Sequence, residues 1–312
     1  MSRPVDRIPV LEVGGTHVTA GWVHPDGWRV TGLSRIDLPG QGSADQLIAL
    51  LARAGAGLAA PPGAVWGIAM PGPFDYARGV AHYAGVGKFE ALAGVDVGAA
   101  LTAALPGRPA ELCFSNDASA FGVGEWLIGA ARGATRCVVV TLGTGVGSAF
   151  LDGGNSIETG PAVPPQAEVH LLSHAGRPLE DWVSRRAIRA AFAAAKGPAA
   201  PDDLDVKEIA ELARTGDRVA GAVIGAAFRI LGEVLAPWLR RFDAELLVVG
   251  GSMSRSLDLI EPPLREGVSA AVGGRFPIVP AGQPELSPVV GAAYPAWRSA
   301  AQPSAVSGPQ AG

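Results

Sequence analysis

Two stretches of this chain share one build. LEVGGTHVTAG (11–21) and VTLGTGVGSAF (140–150) each run from an apolar strand through a Gly/Thr-rich turn into a second strand. They lie about 130 residues apart in a chain of 312. A strand that turns straight into another strand predicts an antiparallel pair, not the strand–helix entry of a dinucleotide-binding fold. Two similar halves, each presenting a glycine turn, can close on one ligand from opposite sides. The length fits one large or two modest domains at about 150 residues each. With 48% hydrophobic and 17% charged residues, a sizeable core can be buried, and wholesale disorder is excluded.

The segments between these units alternate. A helix is predicted over 44–54 with Ser43 as its N-cap, then a buried strand over 64–70 that ends in Pro71-Gly72-Pro73. A helix over 97–105 and a strand over 111–115 lead into Asn116-Asp117 and a helix to about 129. After the second hairpin, 153–176 is loop-rich with a short strand over 168–172. Helices follow over 179–196, 206–215 and 218–241, and a strand over 245–249 ends in Gly250-Gly251-Ser252. The tail 303–312, rich in Ser, Pro, Gly, Gln and Ala, is predicted disordered. Strands alternating with helices mean α/β, and the hairpins add an antiparallel component.

Charge and cysteine content exclude several classes. The net charge is -4 and the pI about 5.8, which argues against a dedicated nucleic-acid binder. Cys113 and Cys137 are the two cysteines, too few for a disulfide framework or a Cys-type zinc site, and they read as buried reduced thiols of a cytoplasmic protein. The first residues, MSRPVDRIPV, lack the apolar core of a signal peptide. The longest apolar stretch, 219–228, is broken by Arg229 and is too short to span a bilayer. No membrane partner is expected.

Several residues are candidates for chemistry. Gly14-Gly15-Thr16 and Gly143-Thr144-Gly145 can cradle phosphate with backbone N–H groups and a hydroxyl, or serve only as hairpin turns. Neither is a Walker A loop, because no Gly-Lys-Ser/Thr follows. Asn116-Asp117, between strand and helix, can cap the helix, or Asp117 can stand at the mouth of a cleft and accept a proton. Glu12 interrupts an apolar strand, where its carboxylate takes a hydrated Mg²⁺, a salt bridge or an exposed face. Glu168, His170, His174 and Glu180 suit a polyol or are solvated loop polarity. On a strand, His170 and His174 stand roughly 13 Å apart, and with no cysteine nearby zinc is not expected. Gly250-Gly251-Ser252 can pack against a flat ligand such as adenine, or is a tight turn.

The ordered series E-V-G-G-T, P-G-P-F-D, N-D-A-S-A-F-G-V-G-E, T-L-G-T-G-V-G, P-L-E and V-V-G-G-S, closed by SPVVGAAY, resembles the ROK family of sugar kinases and sugar-responsive repressors. The resemblance runs from about Leu11 to Tyr294. It implies a two-lobed actin-like ATPase (ribonuclease H-like) fold, with a mixed sheet in each lobe and a central cleft. The N-terminal lobe would be 1–112 plus about 289–302, and the C-terminal lobe 113–288. It further implies a kinase-type, glucokinase-like member using ATP and Mg²⁺ on a small-molecule hexose or N-acetylhexosamine. Asp117 would be the catalytic base. Gly14, Gly15, Thr16, Gly143, Thr144 and Gly145 would flank the ATP phosphates, with Gly250, Gly251 and Ser252 near adenosine. Asn116, Glu168, His170 and Glu180 would contact the sugar, and Glu12 would hold Mg²⁺, directly or through water. The family also suggests a homodimer or homotetramer.

This chain departs from the family pattern at four places. Glu12 stands where the family usually has Asp, and the family's Glu-x-Gly-His is reduced to Glu168-Val169-His170. The zinc-binding cysteines before the Leu-Glu pair are absent, and the usual sugar-contacting Asn has no counterpart in 81–97, where Lys88 and Tyr83 are the candidate substitutes. No helix-turn-helix of the repressor branch fits ahead of the strand near Val10. The alternative class is therefore a catalytically weak sugar- or nucleotide-binding regulator acting through protein partners.

Overall fold

The computed structural model describes residues 6–197, 204–272 and 276–301. The tail expected to be disordered, 303–312, lies outside them. The chain forms two compact units: Met1–Gly124 with Pro288–Gly312, and Glu125–Ser287.

The first unit opens with the expected hairpin, extended to a three-strand meander. Strands β1 (Ile8–Val13), β2 (His17–His24) and β3 (Arg29–Asp37) pair antiparallel. Helix α1 (Ala44–Ala56) starts at Ser43, whose Oγ accepts the Gln46 N–H at 3.3 Å, and buries Leu47 and Leu51. Strand β4 (Val65–Met70) then joins β1 in parallel. A small hairpin, β5 (Phe74–Asp75) and β6 (Val80–Ala81), precedes α2 (Val97–Ala104), capped by Asp96. Strand β7 (Glu111–Asn116) pairs in parallel with β4, and α3 (Asp117–Ile128) follows without a linker. The sheet order is β3-β2-β1-β4-β7.

Strand β7 completes this sheet, and the compact units divide at 124/125, inside α3. The second division falls at 287/288.

The second unit repeats the plan. Strands β8 (Arg136–Leu142), β9 (Val146–Asp152) and β10 (Asn155–Ser156) form the antiparallel part. A two-stranded ribbon, β11 (Ser173–His174) and β12 (Arg177–Pro178), leads to α4 (Glu180–Val183), α5 (Arg185–Lys196), α6 (Val206–Arg214) and α7 (Arg218–Phe242). Strand β13 (Leu246–Gly250), helix α8 (Leu257–Val272) and strand β14 (Ile278–Pro280) complete it. The order β10-β9-β8-β13-β14 places two further parallel strands beside an antiparallel set, as in the first sheet.

Three local expectations are corrected. Residues 168–172 do not form a strand. Val169–Leu171 is a 3-10 turn, because the Ser148 hydroxyl donates to Ala167 O (2.6 Å) and accepts the Val169 N–H (3.0 Å) in place of a strand ladder. The helix expected over 179–196 breaks at Ser184, whose extended backbone ends α4 and whose Oγ caps α5. The apolar run at 219–228 is part of a longer helix, α7, which by length and composition alone could cross a bilayer. Its Ile224, Phe228, Leu231, Leu235 and Leu239 are instead buried in the core of the second unit.

Two features secure the chain near its crossings. In the second unit the buried Glu125 carboxylate accepts four hydrogen bonds: from the N–H of Ala130 (2.8 Å), Gly282 (2.7 Å) and Gln283 (3.0 Å), and from Ser287 Oγ (2.7 Å). In the first unit the final helix α9 (Ser287–Ala301) lies so close to β4 that a Cβ on Gly67 would overlap Ala292 O.

Candidate active site

The parallel register aligns the carboxyl ends of β1, β4 and β7: Glu12 pairs with Ala69, and Met70 with Asn116. Ligand sites in α/β sheets form at such ends. Here the edge carries the Gly14-Gly15 turn and a group of charged side chains.

Glu12 projects from β1 with its side chain 13% exposed. Burial pushes its pKa up to about 7, helped by the negative charge of Asp117 and opposed by a Thr19 hydrogen bond and the Arg35 charge. His17 Nε2 lies 3.9 Å from Glu12 Oε2. The Arg35 guanidinium hydrogen-bonds that same nitrogen. The other ring nitrogen, Nδ1, lies 3.3 Å from Thr16 Oγ1. Arg35 is a cation whose charge acts on Glu12.

Asp117 begins α3, half-buried, with Oδ1 accepting the Ala118 N–H at 2.8 Å. Burial raises its pKa, against the Ala118 N–H and the charge of Lys88. Asn116 does the capping: its Oδ1 takes the N–H of Ala118 (2.9 Å) and Ser119 (3.1 Å), and its Nδ2 donates to Tyr76 Oη at 2.9 Å.

Of the two candidates in 81–97, Tyr83 is ruled out by burial. Its ring is fully enclosed in the core and its hydroxyl donates to Pro71 O at 2.7 Å. Lys88 instead reaches the edge: its Nζ lies 3.3 Å from where a Cβ on Gly15 would stand.

In the second unit two of the predicted glycine segments come together. The Gly143 N–H closes the β8–β9 turn on Gly145 O at 3.0 Å. Gly251 adopts φ +82°, with its Cα against the backbone of Leu142, where a side chain would collide. Ser252 Oγ lies 3.6 Å from the Cβ position of Gly143. Glu180 joins this group: its Oε1 accepts the Val146 N–H at 3.0 Å, in the space left by Gly145. Glu168 and His170 pair with each other at 3.3 Å. His174 lies apart, 3.8 Å from Glu233 and edge-on to Trp182, over which Arg177 stacks.

Sequence reasoning missed His17, Arg35 and Glu125 as members of polar networks. His17 directly follows Gly-Gly-Thr, which was a readable signal. Arg35 reaches the site only through the β2–β3 register, Thr19 opposite Arg35.

Two mixed sheets of one strand plan, each with a glycine turn at the carboxyl end of its first strand, define a protein of the actin-like ATPase fold. Residues 10–298 match the model of the ROK family, and the chain belongs to that family. It is 26% identical over 281 residues to a glucokinase of Thermotoga maritima, covering 83% of this chain and 86% of that one. Its fold matches a ROK hexokinase from Thermus thermophilus at a TM-score of 0.75, with 24% identity over 94% of this chain and 98% of the other. A ROK family glucokinase from Streptomyces griseus, solved in complex with glucose and AMPPNP, matches at 0.72 with 24% identity, over 92% and 98% of the two chains.

Proposed function

We propose that this protein transfers the γ-phosphoryl group of ATP to a hydroxyl of a hexose or N-acetylhexosamine, with Asp117 as general base. The observation that carries the proposal is Asp117 itself: a half-buried carboxylate of raised pKa, beside a glycine turn, at the carboxyl end of parallel strands. A carboxylate lifted toward neutrality is a better proton acceptor at neutral pH. The glucokinase relative supports a sugar as acceptor, and the AMPPNP complex of a fold neighbour supports ATP as donor.

In the transfer, the sugar oxygen forms a bond to the γ-phosphorus as its proton passes to Asp117. The bond to the ADP oxygen breaks. Backbone N–H groups of Gly15 and Gly145 meet the phosphates, while those of Gly14 and Gly143 hold the turns on His17 O (2.8 Å) and Gly145 O (3.0 Å); Thr16 and Thr144 add hydroxyls, and both threonines are exposed on their turns. Gly250, Gly251 and Ser252 form the surface toward adenosine. Glu168 and His170, held as a pair, present polar atoms to sugar hydroxyls with Asn116. Glu180 orients the second turn through Val146 and offers its other oxygen to the sugar.

The donor set suits Mg²⁺. Two carboxylates face this edge, Glu12 and Asp117, and the charge of Asp117 raises the proton affinity of Glu12. Among the described residues no cluster of three or more His, Cys, Asp or Glu forms a full metal cage. Mg²⁺ typically takes one or two carboxylates, waters and substrate phosphates. Glu12 would hold it, and the ion supplies charge neutralisation on the phosphates. A cytoplasmic setting belongs to the same reading, in keeping with two cysteines that are both free thiols. So does a homodimer or homotetramer, which sedimentation reads directly.

The test is ADP release with Mg·ATP across glucose, fructose, mannose, N-acetylglucosamine and N-acetylmannosamine. We expect one or more sugars to raise the rate, and Asp117→Asn to lower kcat at least about 100-fold with folding intact. Sugar-induced rises in Tm without ADP release on any sugar would favour the regulator instead.

A further inference from the structure

We propose that Lys88 is a catalytic residue whose ammonium meets the transferring phosphoryl group. This rests on the phosphotransfer reading above and adds a residue to it.

The placement carries the argument. Lys88 Nζ stands over the Gly14-Gly15 turn, 3.3 Å from the Cβ position of Gly15, and its charge acts on Asp117. It therefore lies between the loop assigned to the donor phosphates and the group assigned to the acceptor proton, where the phosphoryl group passes. Its backbone is held on both sides. Phe89 N–H donates to Gly40 O (2.6 Å), Gln41 Nε2 donates to Gly87 O (2.6 Å), and Gly87 N–H donates to Glu90 Oε1 (2.8 Å). The Phe89 ring is buried beneath.

Charge availability singles out Lys88. Arg35, the other cation at this edge, is engaged with His17. Lys88 has no ion pair or hydrogen bond among the described residues. A half-buried lysine on a pinned backbone offers its ammonium to an anion at the Gly15 turn. In phosphoryl transfer the charge spreads over the equatorial oxygens of the moving group, and a fixed cation there stabilises the transition state more than the ground state. The hydroxyl proton still goes to Asp117.

The experiment compares Lys88→Met and Lys88→Arg with the parent protein. Lys88→Met removes no hydrogen bond, so its Tm should stay within a few degrees. We expect its kcat to fall about 100-fold, with the sugar KM within threefold, and Lys88→Arg to recover at least tenfold of the loss. Calorimetry supplies a readout independent of turnover: Lys88→Met should bind Mg·AMPPNP at least tenfold more weakly and Mg·ADP equally well, because only the former has the third phosphate. A kcat within threefold of the parent, a sugar KM that rises while kcat holds, or equal losses for the two nucleotides would each overturn the proposal. A parent protein that turns over no sugar would defeat the kinase reading, and the nucleotide comparison would then decide Lys88 alone.

Discussion

The two glycine turns share a strand plan but differ in what surrounds them. The turn at 14–16 stands among side-chain charges: Glu12, Arg35, Lys88 and Asp117, with His17 hydrogen-bonded to Arg35. The turn at 143–145 is held mainly by backbone: Gly251 against Leu142, the Arg185 N–H on Gly143 O at 3.3 Å, and a single carboxylate, Glu180, on the Val146 N–H. The same strand–turn–strand build thus gives a charged, titratable edge in one unit and a backbone-held surface in the other. The first suits bond making and breaking, and the second suits holding a flat ligand.

The largest test of this contrast is Gly251→Ala. The substitution forces a side chain into the φ +82° region and onto the Leu142 backbone. Strain and overpacking together should cost about 3 kcal/mol or more, seen as a lower denaturant midpoint. A loss under about 1 kcal/mol would show that the second turn is not backbone-limited.

Next is the charged edge. With the metal and nucleotide left out, Glu12 is about 7 folded against 4.5 unfolded, so the folded state holds the extra proton between those values. Stability should therefore fall as pH rises from 4.5 to 7, by up to about 3 kcal/mol, and stay low above. Glu12→Gln should be more stable than the parent at pH 8, with the difference closing at acid pH. Urea titrations at several pH values measure this, and parallel curves for the two proteins would refute it.

The smallest effect should come from Arg35→Gln. Its cost to stability should stay within about 1 kcal/mol, as for partly exposed charges, while the Glu12 carboxyl titrates at higher pH by NMR. An unmoved Glu12 titration would remove Arg35 from the network.

Much of this was legible locally. Ser43 capping α1, the two hairpins, and the strand-to-helix step at Asn116-Asp117 follow from turn chemistry and periodicity, which act over a few residues. What escaped depends on partners far along the chain. The EVHLL segment has strand composition, yet Ser148 ties its backbone down as a turn. Tyr83 looks like a binding residue until its hydroxyl is found on Pro71 O in the core. The pairing of β7 with β4 is a choice that composition does not encode. At the candidate site, the glycines and Asp117 were readable from sequence as candidates, but the meeting of Lys88 with the Gly15 turn needed the 39–42 and 85–90 loops to be stapled together.

The close approach of α9 to β4 has a consequence for synthesis. The ribosome delivers β1 to α3 first and α9 last, with the entire second unit in between. Until α9 emerges, the face of β4 at Gly67 has no cover, so the half made first must be the half finished last. Protection of that face from proteolysis or exchange during translation should appear only once the final helix has cleared the exit tunnel, after the segment between has had time to assemble on its own.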